Sequence, residues 1–122
     1  MKVIENNLNL PEEAIFNLSI LKKNELIVDA WETIGTLTVY KHPNDKYGGQ
    51  VHIEISPKWR CKWVSRGLRD ELINKLSKIA KTYNLKVLYS TAFTEVSPRL
   101  LAFAKFVEYS KSTPKTYYYL KI

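Results

Sequence analysis

The chain has 122 residues, 45% of them apolar and 12% aromatic, with four glycines, five prolines and a single cysteine. That length and balance suit one packed domain and exclude a disordered, collagen-like or disulfide-framed chain. Nineteen Lys and Arg against twelve Asp and Glu give a net charge of +7, which draws the surface toward a polyanion such as nucleic acid, an anionic membrane or a phosphorylated cofactor.

The excess is one-sided. Residues 1–50 hold five basic and seven acidic side chains, whereas residues 51–122 hold fourteen and five. Its densest part is Lys58, Arg60, Lys62, Arg66 and Arg69, with no acid before Asp70 and Glu71. Cys61 has no partner for an internal disulfide and no second cysteine for a metal framework, so a reducing compartment is expected. Residues 1–10 lack an apolar signal core, and no stretch of about twenty apolar residues could span a bilayer. The expectation is a soluble, cytoplasmic protein with no membrane partner.

In chain order, Pro11 followed by Glu12 and Glu13 predicts a helix running to Leu21, with proline in the opening position and acids at its positive end. Leu26–Trp31 and Ile34–Lys41 read as two strands that pair antiparallel. Residues 41–49 hold His42, Pro43, Asn44, Asp45, Gly48 and Gly49, a turn composition, and are the expected mobile segment. In the next strand Val51, Ile53 and Ile55 alternate with His52, Glu54 and Ser56, giving one apolar face and one polar row.

From Val64 to Tyr83, apolar residues recur every three or four positions (Val64, Leu68, Leu72, Leu76, Ile79, Ala80, Tyr83) and define one face of a five-turn helix. Asn84 suits a left-handed stop. Lys86–Thr91 reads as a buried strand, Ser97-Pro98 as the cap of a helix to about Glu108, and Thr116–Lys121 as a closing strand. The order helix, three strands, long helix, strand, helix, strand predicts a single α/β domain over residues 1–122 with a mixed sheet.

The polar row, the basic loop and the long helix are consecutive, so the strand delivers the chain to a helix amino end, where free amides and the dipole favour an anion such as a diphosphate. The stretch V-H-I-E-I-S-P-K-W-R-C-K-W-V-S-R-G-L-R-D-E-L-I-N-K-L, Val51 to Leu76, resembles the GNAT (Gcn5-related N-acetyltransferase) superfamily, and the likeness continues more weakly to the end. The resemblance implies a mixed, mostly antiparallel sheet flanked by helices, and transfer of an acetyl group from acetyl-CoA to an amine acceptor.

It also implies site residues. The family's loop R/Q-x-x-G-x-G/A, whose amides grip the pyrophosphate, corresponds to Arg60, Cys61, Lys62, Trp63, Val64 and Ser65, with Arg66 and Gly67 offering a shifted approach. Trp63 replaces the first glycine and Ser65 the glycine or alanine, which crowds the backbone's approach to phosphate. Pantetheine would lie along Ile55, Ser56 and Pro57. Glu54 stands where members carry a general base, with His52 two residues away. In the segment Phe103–Tyr109, Ala104 falls where many members have the tyrosine that protonates the thiolate, leaving Tyr109 or a residue of Tyr117–Tyr119 to fold back. The R-C-K-W-V-S-R run is similar to compact versions encoded by bacteriophages.

Other readings of the same residues stand beside these. Alternating polar residues on a strand also make a solvated face, and Trp59 and Trp63 can stack on a base or wedge against the sheet. Cys61 lacks a paired base and reads as an incidental loop residue. His42 lies in a turn, and two histidines without clustered ligands make no metal site. With Trp63, Ser65 and Ala104 altered, the alternative is a catalytically inactive domain of the same fold that binds a protein or nucleic acid through its basic second half.

Overall fold

A computed structural model describes residues 2–59, 66–92, 106–112 and 115–122. Seven strands form one sheet: β1 (Lys2–Glu5), β2 (Ala14–Lys23), β3 (Trp31–Lys41), β4 (Gly48–Ile55), β5 (Val87–Ala92), β6 (Val107–Ser112) and β7 (Lys115–Lys121). Their order across the sheet is β1-β2-β3-β4-β5-β7-β6. Among the described strands only the central β4–β5 pair is parallel. A parallel pair needs a crossover, and here it contains helix α1 (Arg66–Thr82).

The long-helix expectation holds. Leu72, Leu76, Ile79 and Ala80 of α1 are buried in one cluster with Phe16, Leu18, Ile20, Leu37, Val39, Val51 and Leu88 of the sheet. Asn84 ends the turn after the helix at φ 63°, as expected of a left-handed stop. Tyr83 stacks on Phe16 with ring centroids 5.3 Å apart. The strands expected at 34–41, 51–55 and 116–121 are present within β3, β4 and β7, and the one expected at 86–91 is β5, which begins one residue later, at Val87.

The segment from Pro11 to Leu21 is not a helix. It makes a turn, with the Ala14 amide donating to the Pro11 carbonyl at 3.1 Å, and then enters β2. Phe16, Leu18 and Ile20 alternate with Asn17 and Ser19, a period of two that buries the first set completely. Leu26–Trp31 is likewise not a strand: β3 pairs with β2 instead, and residues 24–30 form the tip of that hairpin. Gly48 and Gly49 open β4 rather than closing a turn. Residues 107–108, expected to end a helix, belong to β6; the rest of that expected helix lies outside the described residues.

β1 was not anticipated. It pairs with β2, and its Val3 amide donates to Glu71 Oε1 of α1 at 3.1 Å, so the helix supplies the acceptor at the sheet's edge. A register shift in the β2–β3 pair leaves Ile34 opposite no β2 residue, and Ile34 is fully buried.

Candidate functional site

The site is organised by where β4 and β5 part. Their ladder has three rungs, Gly48–Val87, Gly49–Leu88 and Gln50–Tyr89, whereas β4 runs on to Ile55 and β5 to Ala92. At the next position the backbone pairing is replaced by a side chain: Ser90 Oγ donates to the Val51 carbonyl at 3.4 Å. Beyond that point β4 keeps its pairing with β3 through Gly35–Ile55, and the Ser56 amide adds one more bond, to the Ile34 carbonyl at 2.9 Å. The result is a fork with β4 held firmly on its β3 side.

A clamp fixes the closed end of this fork, where the Tyr89 side chain reaches back over Gly48. Tyr89, on the last rung, donates its hydroxyl to Asp45 Oδ2 at 2.7 Å, and its ring lies 4.3 Å from that of His42. Asp45 Oδ1 accepts the Tyr47 amide at 2.9 Å, and His42 Nδ1 accepts the Asn44 amide at 3.2 Å. The Tyr89 hydroxyl, then the Tyr47 amide, hold the Asp45 carboxyl below its ordinary range. The 41–49 segment is therefore tied to β5 by side chains, and His42 has a structural role there.

His52 and Glu54 project together from β4, with Nε2 and Oε1 3.2 Å apart and side chains 58% and 75% exposed. Their cross-strand neighbours on β3 are Thr38 and Thr36. Thr38 donates to Asn17 Oδ1 at 2.8 Å, and the Asn17 amide reaches the Asn6 carbonyl at 3.1 Å, so the polar row of β4 continues across β3 and β2. The sequence showed β4's part of this row; the Asn17 and Thr38 part needed the register.

Ile55 and Ser56 are half-buried and Pro57 is exposed. Pro57–Trp59 forms a short 3-10 turn in which the Trp59 amide donates to the Ser56 carbonyl at 2.8 Å. Trp59 packs against the core, with the ammonium groups of Lys22 and Lys58 4.1 Å and 5.4 Å from its ring centroid. Arg60, Cys61, Lys62, Trp63, Val64 and Ser65 lie outside the described residues, as do Phe103 and Ala104. Arg66 and Gly67 form the first turn of α1.

Tyr109 falls in β6, and Tyr117, Tyr118 and Tyr119 fall in β7. Tyr118 pairs with Ser90, the residue at the fork. It is buried, and burial, followed by the nearby Glu108 charge, pushes its hydroxyl pKa up. The phenol therefore keeps its proton at neutral pH. Among the described residues no group of three His, Cys, Asp or Glu side chains could hold a metal ion, and no helix is long and apolar enough to cross a membrane.

This arrangement, a central parallel pair that forks, with a helix following the first of its strands, is the fold of GNAT acetyltransferases. The chain is similar to the ribosomal-protein-S5-alanine acetyltransferase of Vibrio fischeri, with a TM-score of 0.64 and 18% identity over 89% of this chain and 62% of that one. It is also similar to the Campylobacter jejuni N-acetyltransferase PseH, solved with acetyl coenzyme A, with a TM-score of 0.63 and 17% identity over 91% of this chain and 70% of that one. A domain from Methanocaldococcus jannaschii gives a TM-score of 0.67 at 15% identity, over 92% and 69% of the two chains.

The chain thus spans about three-fifths of the length of the Vibrio fischeri protein. No protein-family model matches the sequence, and no curated protein matches it significantly. At these identities the likeness defines the fold alone.

Proposed function

We propose that this chain is an acyl-coenzyme A-dependent N-acyltransferase that moves an acetyl group from acetyl-coenzyme A to an amine. The observation that carries the reading is the fork: β4 and β5 separate after Gln50 and Tyr89, directly beside His52 and Glu54 and a few residues ahead of the basic loop. A thin, amide-rich chain such as pantetheine fits between two strands that have stopped pairing, because it can bond to backbone groups the ladder has released. The PseH structure, solved with acetyl coenzyme A, is a protein of the same fold with that ligand.

In this reading Ile55, Ser56 and Pro57 line the pantetheine path. Arg60, Lys62 and Arg66 neutralise the diphosphate, and the amides around Trp63, Val64, Ser65 and Gly67, at the amino end of the 17-residue α1, receive it. Bound acetyl-coenzyme A supplies an activated acyl carbonyl. Glu54 takes a proton from the incoming amine as its nitrogen bonds to the acyl carbon; the carbon–sulfur bond breaks, the leaving thiolate takes a proton from solvent, and His52, 3.2 Å from Glu54, returns the amine's proton to solvent. The exposure of both side chains leaves room for the acceptor to approach. The lone Cys61 is consistent with work in a reducing cytoplasm, that of a host cell if the gene is phage-borne.

Calorimetric titration with acetyl-coenzyme A, alongside a thermal-shift series, tests the proposal. Saturable binding is expected, with an unfolding temperature that rises with ligand concentration. Neither heat nor a shift at millimolar ligand would refute it. In that case the fold serves as a binding scaffold, and steep loss of DNA association with salt would point to nucleic acid as its partner.

A further inference from the structure

Resting on the acyltransferase reading, we propose that Lys22 and Lys58, held on the ring of Trp59, receive the 3′-phosphate of acetyl-coenzyme A and make the protein prefer this thioester to one lacking that phosphate. Lys22 stands opposite Glu32 across the β2–β3 pair, a placement that favours a cross-strand ion pair. The Glu32 carboxylate instead lies 3.9 Å from Lys58 Nζ. The Lys22 ammonium sits 4.1 Å from the Trp59 ring centroid, and that of Lys58 5.4 Å from the same point. Two cations therefore share one ring and one acid, and Lys22, half-buried, makes no ion pair among the described residues. Trp59 carries an independent sign of a ligand-directed arrangement. Its Nε1 is buried without a hydrogen-bond partner among the described residues, whereas a buried indole N–H usually finds an acceptor. Packing against the core holds the ring under the two ammonium groups while its own hydrogen bond goes unmade.

Topology sets this pair beside the amino end of α1. β2 and β4 are each antiparallel to β3, so both point toward the end of the sheet where the chain passes through Pro57–Trp59 into the helix. Val3 pairs with Ile20, and its amide bonds Glu71 Oε1 at 3.1 Å, which ties β2 and α1 together at that level. Lys22 lies two strand residues past Ile20, about 7 Å along β2. Arg66 lies five helical residues before Glu71, about 7.5 Å in the same direction. Lys22 is thus level with the first turn of α1. The nearby acids are accounted for: Glu71 serves the Val3 amide, Glu32 is shared as described, and Glu25 lines the open groove outside Lys22 together with Lys23, which offsets it.

Acetyl-coenzyme A carries two anionic groups, the diphosphate and a phosphate monoester on the adjoining ribose. With the diphosphate on the amides that open α1, the monoester is the group left to match, and its charge of about −2 at neutral pH suits two converging lysines. Binding draws both ammonium groups from the ring onto phosphate oxygens and relieves their mutual repulsion.

Calorimetric titration of acetyl-coenzyme A against acetyl-dephospho-coenzyme A, at one ionic strength because salt screens the contact, tests the assignment. The wild-type chain is expected to bind acetyl-coenzyme A about tenfold more tightly. Lys22→Met keeps an aliphatic stem on the ring but removes the charge. It should erase that preference while leaving the affinity for acetyl-dephospho-coenzyme A unchanged, which also reports that the variant is folded. Lys22→Arg, with the charge restored, should keep the preference. Adenosine 3′,5′-bisphosphate should compete with acetyl-coenzyme A, and inorganic phosphate at the same concentration should not. Equal binding of the two thioesters to the wild-type chain overturns the assignment and leaves the acyltransferase reading standing. So does a preference that survives Lys22→Met or is lost in Lys22→Arg, or equal competition by inorganic phosphate. Binding of neither thioester overturns both.

Discussion

Gly35 sits where β3 supports the far end of β4, and its replacement by alanine offers a direct test of how tightly that end is held. A Cβ built there would lie 2.5 Å from Ile55 Cδ1 and 2.8 Å from the Glu54 carbonyl oxygen. Ile55 Cδ1 is the tip of a side chain and can rotate away; the Glu54 oxygen is backbone in a paired strand and cannot. Two effects oppose each other. Replacing glycine with alanine in a strand is worth roughly 0.5–1 kcal/mol through the unfolded chain, while overpacking a fixed neighbour costs roughly 1–3 kcal/mol.

The second effect wins because the obstacle is backbone, leaving a net loss of about 1.5 kcal/mol. For 122 residues that corresponds to a fall in unfolding temperature of about 6 °C, read by calorimetry or urea titration. The shift that relieves the clash moves the Glu54 backbone, so acetyl-coenzyme A affinity, if present, should fall as well. Gly49→Ala is the comparison: the three atoms nearest its new Cβ are side-chain carbons of Val39, Leu85 and Leu88, none of them backbone, so no paired strand has to move and the loss should be smaller. An unchanged or raised unfolding temperature for Gly35→Ala, or a larger loss at Gly49, would refute the reasoning.

Three further outcomes are expected. Glu54→Gln should lower acetyl transfer about 100-fold while leaving acetyl-coenzyme A affinity intact; an equal loss of affinity would make Glu54 a structural residue only. Glu71→Ala removes the acceptor of the Val3 amide, so stability should drop by about 1 kcal/mol and amide exchange in β1 should quicken, whereas unchanged exchange at Val3 would show that the bond does not protect the edge. Asp45 has a folded-state pKa below its ordinary value of 3.8, so its contribution is complete above that value and is lost as the pH falls through the lower, folded one. Wild-type urea midpoints should therefore fall on acidification below about pH 4 more steeply than those of Asp45→Asn; equal slopes would count against the clamp.

Helix α1 and strands β3, β4, β5 and β7 were legible because each carries its own period: three to four residues along the buried face of α1, two along Val51, Ile53 and Ile55. β2 is masked in the sequence although Phe16, Leu18 and Ile20 carry that same two-residue period, because Pro11-Glu12-Glu13 is an equally good helix opening. Here those residues form a turn, with Glu13 at φ 68°. The Leu-Ile-Val run at 26–28 looked like a strand because apolar composition stood in for burial. All three side chains face solvent, and the nearby Asn24 and Asp29 were the turn signals that mattered.

What the sequence determined by itself was local: which segments alternate, where the cations gather, and that His52 and Glu54 share a face, since side chains two apart on a strand must. The tertiary structure decided everything that depends on two segments meeting. It set the register that joins Asn17 and Thr38 to the β4 row, brought Tyr89 onto Asp45 across 44 residues, and ended the β4–β5 ladder after three rungs. A parallel pair closed through a helix leaves no turn residue to mark its register. The point where β4 and β5 separate is therefore a property of their packing, and no single stretch of the chain encodes it.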